Sequence, residues 1–170
     1  NIHIHTLIII LTVLIIIGCS VVFTGSISGS IADEELYNEG NGNYAIADAE
    51  VYLYTEQEKR DADYNSWLTD ETFRPDTPVE DEPEYFLKTI TDDQGNYTFN
   101  GFIWNELFPD YGKSGDRKDV YLLFYHNDYG MYKTAYPVYV VNDVTNRIPL
   151  FKLSKILNTA EIAGRILDSE

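Results

Sequence analysis

The stretch Thr91–Phe102, TDDQGNYTFNGF, decides how this chain is read. Asp92, Asp93, Gly95 and Asn96 are turn formers, and Gly95 takes a positive φ without the steric cost any other residue meets. Tyr97 and Phe99 then alternate with Thr98 and Asn100, the period of a strand with one buried face. The stretch therefore predicts a strand end, a tight hairpin turn and a new strand.

Working outward, the same alternation recurs. Ile27, Gly29 and Ile31 alternate with Ser28, Ser30 and Ala32, and Val51 and Leu53 alternate with Tyr52 and Tyr54. Phe86–Thr91 runs into the turn as a further strand. Val120–His126, VYLLFYH, is apolar on both faces and predicts a central, covered strand. Asn127–Gly130 is a turn. Met131–Val141 returns as a strand whose Pro137 places it at an edge or a bulge, and Ile148–Leu153 is the last. Between these lie the loop Asn38–Asn43 and two long polar insertions. Glu56–Tyr85 has eleven acidic and three basic residues and is broken by Pro75, Pro78 and Pro83, so only one helical turn is expected, at Asp61–Trp67. Trp104–Asp119 contains Pro109, Gly112 and Gly115. About seven short strands and no long amphipathic helix predict an all-β, Ig-like sandwich with two long inserted loops, after an N-terminal apolar leader.

Composition narrows the function. The net charge is −16 over 170 residues, and every charged residue follows Cys19. Such a surface repels phosphates and argues against nucleic-acid binding. It fits either a solvated coat that keeps an exported protein soluble or attraction for a divalent cation or a basic partner. One cysteine excludes an internal disulfide, so stability must come from the core.

Leu7–Ile17 is apolar except for Thr12 and leads directly into Gly18-Cys19. A run of that length suits a signal-peptide core better than a membrane span of about 20 residues. The ending Ile16-Ile17-Gly18-Cys19 resembles the lipobox of bacterial lipoproteins. That resemblance implies cleavage between Gly18 and Cys19 and acylation of Cys19, and two or more acyl chains anchor stably where one does not. Asn1–Thr6 lacks the basic residues of a leader's first segment, so an uncleaved anchor or a buried strand are the competing readings. His3 and His5 are two ligands without a third and read as leader, not metal site.

Thr24–Ser30, rich in Gly and Ser, reads at first as a tether. At the other end Glu161–Glu170 aligns with Ser26–Glu35, sharing Ile, Gly, Ile, Asp and Glu at alternate positions. The expected organisation is a signal peptide over 1–18, a tether over 19–25, a β-sandwich over 26–158, and the start of a second repeat over 159–170. The chain does not begin with Met and is expected to be part of a longer one.

Four pieces in order carry a family resemblance: Gly29-Ser30-Ile31, Ala49–Leu53, Thr91–Phe99 as T-D-x-x-G-x-Y-x-F, and Tyr129-Gly130. Together they resemble the carboxypeptidase regulatory-like domain, a prealbumin-like (transthyretin-like) β-sandwich akin to collagen-adhesin repeats. The resemblance implies a non-catalytic module of the bacterial cell envelope that acts in structure, adhesion or ligand binding. The alternative is a regulatory or carbohydrate-binding appendage of a larger exported enzyme. No cofactor is implied. Adhesin relatives carry a Lys–Asn crosslink, for which Lys88 has no evident Asn partner.

The remaining candidates each have two readings. Asp92, Asp93 and Asn96 supply oxygens for a Ca2+ turn, but they lack D-x-D-x-D spacing, which favours side-chain bonds within the turn. Trp67, Trp104 and Tyr111 either contact a protein or glycan ligand from the loops or pack back over the sandwich. The cluster Glu80-Asp81-Glu82-Glu84 reads as a solvated loop. His126, the single His beyond the leader, supports no Ser-His pair.

Overall fold

The computed structural model describes residues 20–40, 42–75, 86–107 and 117–155. The leader with Gly18 and Cys19, the acidic cluster at 80–84, Tyr111 and the repeat at 159–170 lie outside the described residues. In chain order the elements are β1 (Ser20–Asp33), α1 (Glu34–Asn38), β2 (Glu50–Tyr54), α2 (Gln57–Thr69), β3 (Phe86–Ile90), β4 (Asn96–Leu107), β5 (Arg117–His126), β6 (Gly130–Lys133), β7 (Val138–Val141), β8 (Thr145–Arg147) and β9 (Phe151–Leu153).

Two sheets face each other in an all-β sandwich. In the first, β1 lies between antiparallel β4 and the parallel segments β8 and β9. In the second the order is β3-β2-β5-β6, with β7 also paired to β5. Lys133 stands opposite Leu123 and Val138 opposite Val120, so five steps along one strand match three along the other. Thus β6 and β7 are one strand position interrupted by a two-residue bulge ending at Pro137, which has no N–H to donate. β8 and β9 likewise share one position along β1, and the nine segments fill about the seven positions that the alternation predicts.

The core follows the period-2 pattern. Phe23, Ile27, Ile31, Val51, Leu53, Tyr97, Phe99, Val120, Leu122 and Phe124 meet between the sheets. Each large apolar side chain so buried contributes roughly 1.5–3 kcal/mol relative to exposure.

Four expectations are corrected. The Thr91–Asn96 turn does not close a hairpin: β3 pairs with β2, whereas β4 pairs with β1 in the other sheet. It is a corner that carries the chain between layers. Buried Thr91 fastens it, its hydroxyl donating to Ile46 O at 2.8 Å and accepting from Ala49 N at 2.9 Å. Ile31 N donates to Gly95 O at 2.9 Å, and Ile46 N donates to Ile31 O at 3.2 Å. Gly95 has φ of 72°, and a Cβ there would lie 2.5 Å from Ile31 O, so two constraints select glycine.

The tether expected over residues 19–25 is instead strand from Ser20 onward. Phe23 stacks on Trp104 with centroids 5.6 Å apart, so packing overrides the flexible composition. The second insertion is also shorter than expected, because β4 runs to Leu107 and β5 starts at Arg117.

The fourth correction concerns the single turn expected at Asp61–Trp67, which is the thirteen-residue helix α2. Arg60, Asp63, Tyr64 and Trp67 recur at helical spacing on the side that meets the second sheet. Buried Arg60 donates to Thr134 O at 2.6 Å, the Tyr54 hydroxyl donates to Asp63 at 2.7 Å, and Lys133 pairs with Asp61 at 2.7 Å. Tyr64 and Trp67 pack on Tyr52, Tyr54, Leu123, Tyr125 and Met131. The stripe is polar and aromatic, not aliphatic, so hydrophobic periodicity does not reveal it.

Two substitutions test the corner by urea unfolding. Gly95→Ala is expected to cost about 2 kcal/mol or more through its φ and the contact with Ile31 O. Thr91→Val keeps the shape but strands a buried N–H and a buried C=O, an expected loss of about 1–3 kcal/mol. Unchanged midpoints in both would show that the corner is not a constraint.

Candidate functional site

The two outer faces of the sandwich differ. α2 covers part of the second sheet, and the outer face of the first carries small polar side chains. Because Ile27, Ile31, Tyr97 and Phe99 turn inward, Ser28, Ser30, Asn96 and Thr98 must turn outward. The register sets Ser28 opposite Thr98 and Ser30 opposite Asn96, and parallel β8 brings Arg147 beside Ser28. Here the surface sinks into a depression of about 350 Å³, lined by Ser28, Gly29, Ser30, Asn96, Thr98 and Arg147 with Tyr97 and Ile148.

Its wall is held from several sides. Ile148 N donates to Ser28 O at 2.8 Å, joining the segment after β8 to the middle of β1. A Cβ on Gly29 would lie 2.4 Å from the Tyr97 hydroxyl, so only glycine admits that ring. The Tyr97 hydroxyl is itself buried without a hydrogen-bond partner among the described residues, and burial pushes its ionisation well above the usual tyrosine range. Asn96 Nδ2 donates to Asp92 at 3.3 Å. Among the described residues, exposed Arg147 has no ion-pair partner, and the Ser28, Ser30 and Thr98 hydroxyls have no hydrogen-bond partner.

The residues singled out by sequence fall elsewhere. Asp92 turns its carboxylate onto its own corner, accepting from Gln94 N at 2.9 Å and Asn96 N at 2.8 Å. Those N–H groups, Asn96 foremost, hold its ionisation below the ordinary carboxylate range. Exposed Asp93 stands beside it in the turn. Among the described residues no three His, Cys, Asp or Glu side chains gather as a metal cluster. Trp104 lies in the core, stacked between Phe23 and Phe102, and not on an exposed loop as expected. Trp67, on α2, packs partly buried against the second sheet. Lys88, the crosslink candidate, pairs with Glu50 at 2.6 Å on the outer side of the second sheet. His126 accepts from Asp128 N at 3.1 Å within its turn.

Asp33 is the most enclosed carboxylate. It accepts from Leu36 N at 3.0 Å, capping α1, and from the Tyr129 hydroxyl at 2.6 Å, with Lys155 at 3.7 Å. Burial works to raise its pKa, but Tyr129, the Leu36 N–H and Lys155 outweigh burial and hold it below the ordinary value. For Glu50 and Asp61 burial is likewise outweighed, chiefly by Lys88 and Tyr52 in one case and by Lys133 and Arg60 in the other.

The depression was missed at the level of sequence. One signal was present: the outward residues at the depression, Ser28 and Ser30 on β1 and Asn96 and Thr98 on β4, are polar beside the apolar inward set. Arg147 carried no signal, because only the parallel pairing of β8 with β1 brings it there.

No family model matches the sequence, and no curated protein sequence is similar to it. Two solved structures resemble the fold. A streptococcal ancillary pilin is 11% identical over 80% of this chain, with a TM-score of 0.39, and this chain spans 30% of the pilin. A Pseudomonas aeruginosa protein provisionally assigned to carbohydrate binding is 14% identical over 79% of this chain and 90% of its own, with a TM-score of 0.35. At that distance, what the chain does must be read from its own residues.

The depressed carboxylates predict a pH response. A group whose folded pKa lies below its unfolded value stabilises above that unfolded value, about 4, and loses its contribution as pH falls through the folded one. Asp33→Asn removes one such group, so the mutant should lose less stability than wild type between pH 5 and pH 3 in urea unfolding. Parallel losses would mean that Asp33 is not depressed.

Proposed function

We propose that the chain is a non-catalytic β-sandwich module of the bacterial cell envelope, exported and held at the outer membrane or cell surface by acyl chains on Cys19. The observation that carries this reading is Ile16-Ile17-Gly18-Cys19, set directly before Ser20, the first residue of β1. Cleavage between Gly18 and Cys19 leaves the anchor one residue from the first sheet. The domain then rides close to the bilayer instead of on a tether.

Kinship with carboxypeptidase regulatory-like domains is supported by the T-D-x-x-G-x-Y-x-F segment, whose Thr, Asp and Gly each hold the corner. Tandem modules are supported by the residues that Glu161–Glu170 shares with β1. Ile27 and Ile31 are core, Gly29 admits Tyr97, and Asp33 caps α1. A non-catalytic role is supported by the structural bonds that occupy Asp33, Glu50, Asp61, Asp92 and His126.

The second reading, a regulatory or carbohydrate-binding appendage of a larger exported enzyme, is favoured by the open polar depression. A hydrolase motif in the full-length protein would support it, and further β-repeats would support the first.

Metabolic labelling with palmitate tests the anchor. The gene is expressed with its native start in a bacterial host, as wild type and as Cys19→Ala. Label on the wild type that is lost in the mutant is the expected result. An unlabelled wild type in the membrane fraction would mean an uncleaved anchor, and the lipoprotein reading would fall.

A further inference from the structure

We propose that the depression on the first sheet binds a carboxylate-bearing sugar residue of a glycan, with Arg147 taking the carboxylate and Ser28, Ser30 and Thr98 taking the sugar hydroxyls. The proposal rests on the reading of this chain as a binding module and not on its anchor.

Charge is the first argument. The chain has 28 acidic residues against 12 basic ones, and seven of its Lys and Arg side chains lie against carboxylates or aromatic rings: Arg60, Lys88, Arg117, Lys133 and Lys155 pair with carboxylates, while Arg74, Arg117 and Lys152 lie over rings. Arg147, like Lys118, has neither among the described residues, and of the two only Arg147 lines the depression. An exposed guanidinium left unpaired in so acidic a chain is available for an anion. Its planar fork matches a carboxylate through two parallel hydrogen bonds. Its one positive charge also suits one carboxylate better than a phosphate dianion. The distant carboxylates are screened over about 8 Å at physiological ionic strength. Asp92, at the rim, is already committed to the corner N–H groups and to Asn96.

The floor is the second argument. Three hydroxyls without partners among the described residues, each able to donate and accept, suit a polyol. A volume of about 350 Å³ lies at the small end of the roughly 300–1,000 Å³ found for small-molecule sites. The depression is centred on the face of β1, which is paired on both sides, so a peptide cannot add to β1 as a strand. The ring of Tyr97 packs in the core against Phe99 and Phe124, leaving no aromatic platform in the floor for a neutral sugar.

Isothermal titration of the full chain in mild detergent tests this, with trigalacturonate, maltotriose, sodium acetate and triglutamate at equal ionic strength. Saturable binding of trigalacturonate is expected, with the other three at least tenfold weaker. Arg147→Ala should lower that affinity at least tenfold and leave the urea midpoint unchanged, because Arg147 has no ion-pair partner among the described residues. Ser28→Ala combined with Thr98→Val should lower it severalfold, and Arg147→Lys should restore part of the loss. No saturable binding overturns the proposal. So does equal binding of maltotriose (a neutral glycan site), of acetate (a simple anion site) or of triglutamate (a peptide site), or an Arg147→Ala protein of undiminished affinity. Each of these outcomes leaves palmitate labelling of Cys19 untouched, so failure here and failure of the anchor are separate results.

Discussion

The bonds between Ile31 and the Thr91–Asn96 corner are the constraint on which the rest depends. Ile31 gives its N–H to Gly95 and its carbonyl to Ile46, and Ile46 in turn takes the Thr91 hydroxyl. One residue near the end of β1 thus ties together both chain segments that cross between the sheets. Buried backbone groups at such a crossing need partners away from any ladder, and an orphaned one costs about 1–3 kcal/mol. Thr91 and Gly95 meet that need in different ways, one by adding a hydroxyl and the other by having no side chain. With the corner closed, Tyr97 and Phe99 are delivered to the inner face, and Thr98 and Asn96 are left outside.

That division gives the sandwich two unlike exteriors. Over the second sheet, α2 is held by Arg60 on Thr134, Asp63 on Tyr54 and Lys133 on Asp61, with Tyr64 and Trp67 supplying apolar area. Buried charges hold a helix well only when each is bonded, and Arg60 is met by a carbonyl, a hydroxyl and a carboxylate. Among the described residues the first sheet has no such cover over Ser28, Ser30 and Thr98, and their hydroxyls beside Arg147 have no hydrogen-bond partner. The helix and the polar depression therefore lie on opposite sides of one core.

Acidic composition acts in two ways here. Asp33, Glu50 and Asp61 are placed where hydroxyls, N–H groups and ammonium groups outweigh burial, so their negative charge stabilises the fold. The exposed remainder keeps the surface soluble and repels polyanions at long range. Against that background an exposed guanidinium beside the Ser28, Ser30 and Thr98 hydroxyls makes a chemically distinct neighbourhood.

The residues alone determined the fold class, because period-2 alternation in Ile27–Ile31, Val51–Tyr54 and Tyr97–Asn100 sorts each strand's faces without reference to its partners. They also determined the turn at Gly95, the bulge or edge at Pro137 and the outward polar residues Ser28, Ser30 and Thr98. Only the tertiary structure decided that Thr91–Asn96 is a corner and not a hairpin, since which strand pairs with which depends on contacts distant in the chain. It likewise drew Thr24 and Gly25 into a strand and Trp104 into the core, where the aromatic stack with Phe23 and Phe102 outweighs local composition. α2 was hidden because its buried stripe is built from Arg, Asp, Tyr and Trp. The candidate site was half legible: its hydroxyls follow from alternation, but Arg147 arrives through a parallel pairing across more than a hundred residues, which no local pattern encodes.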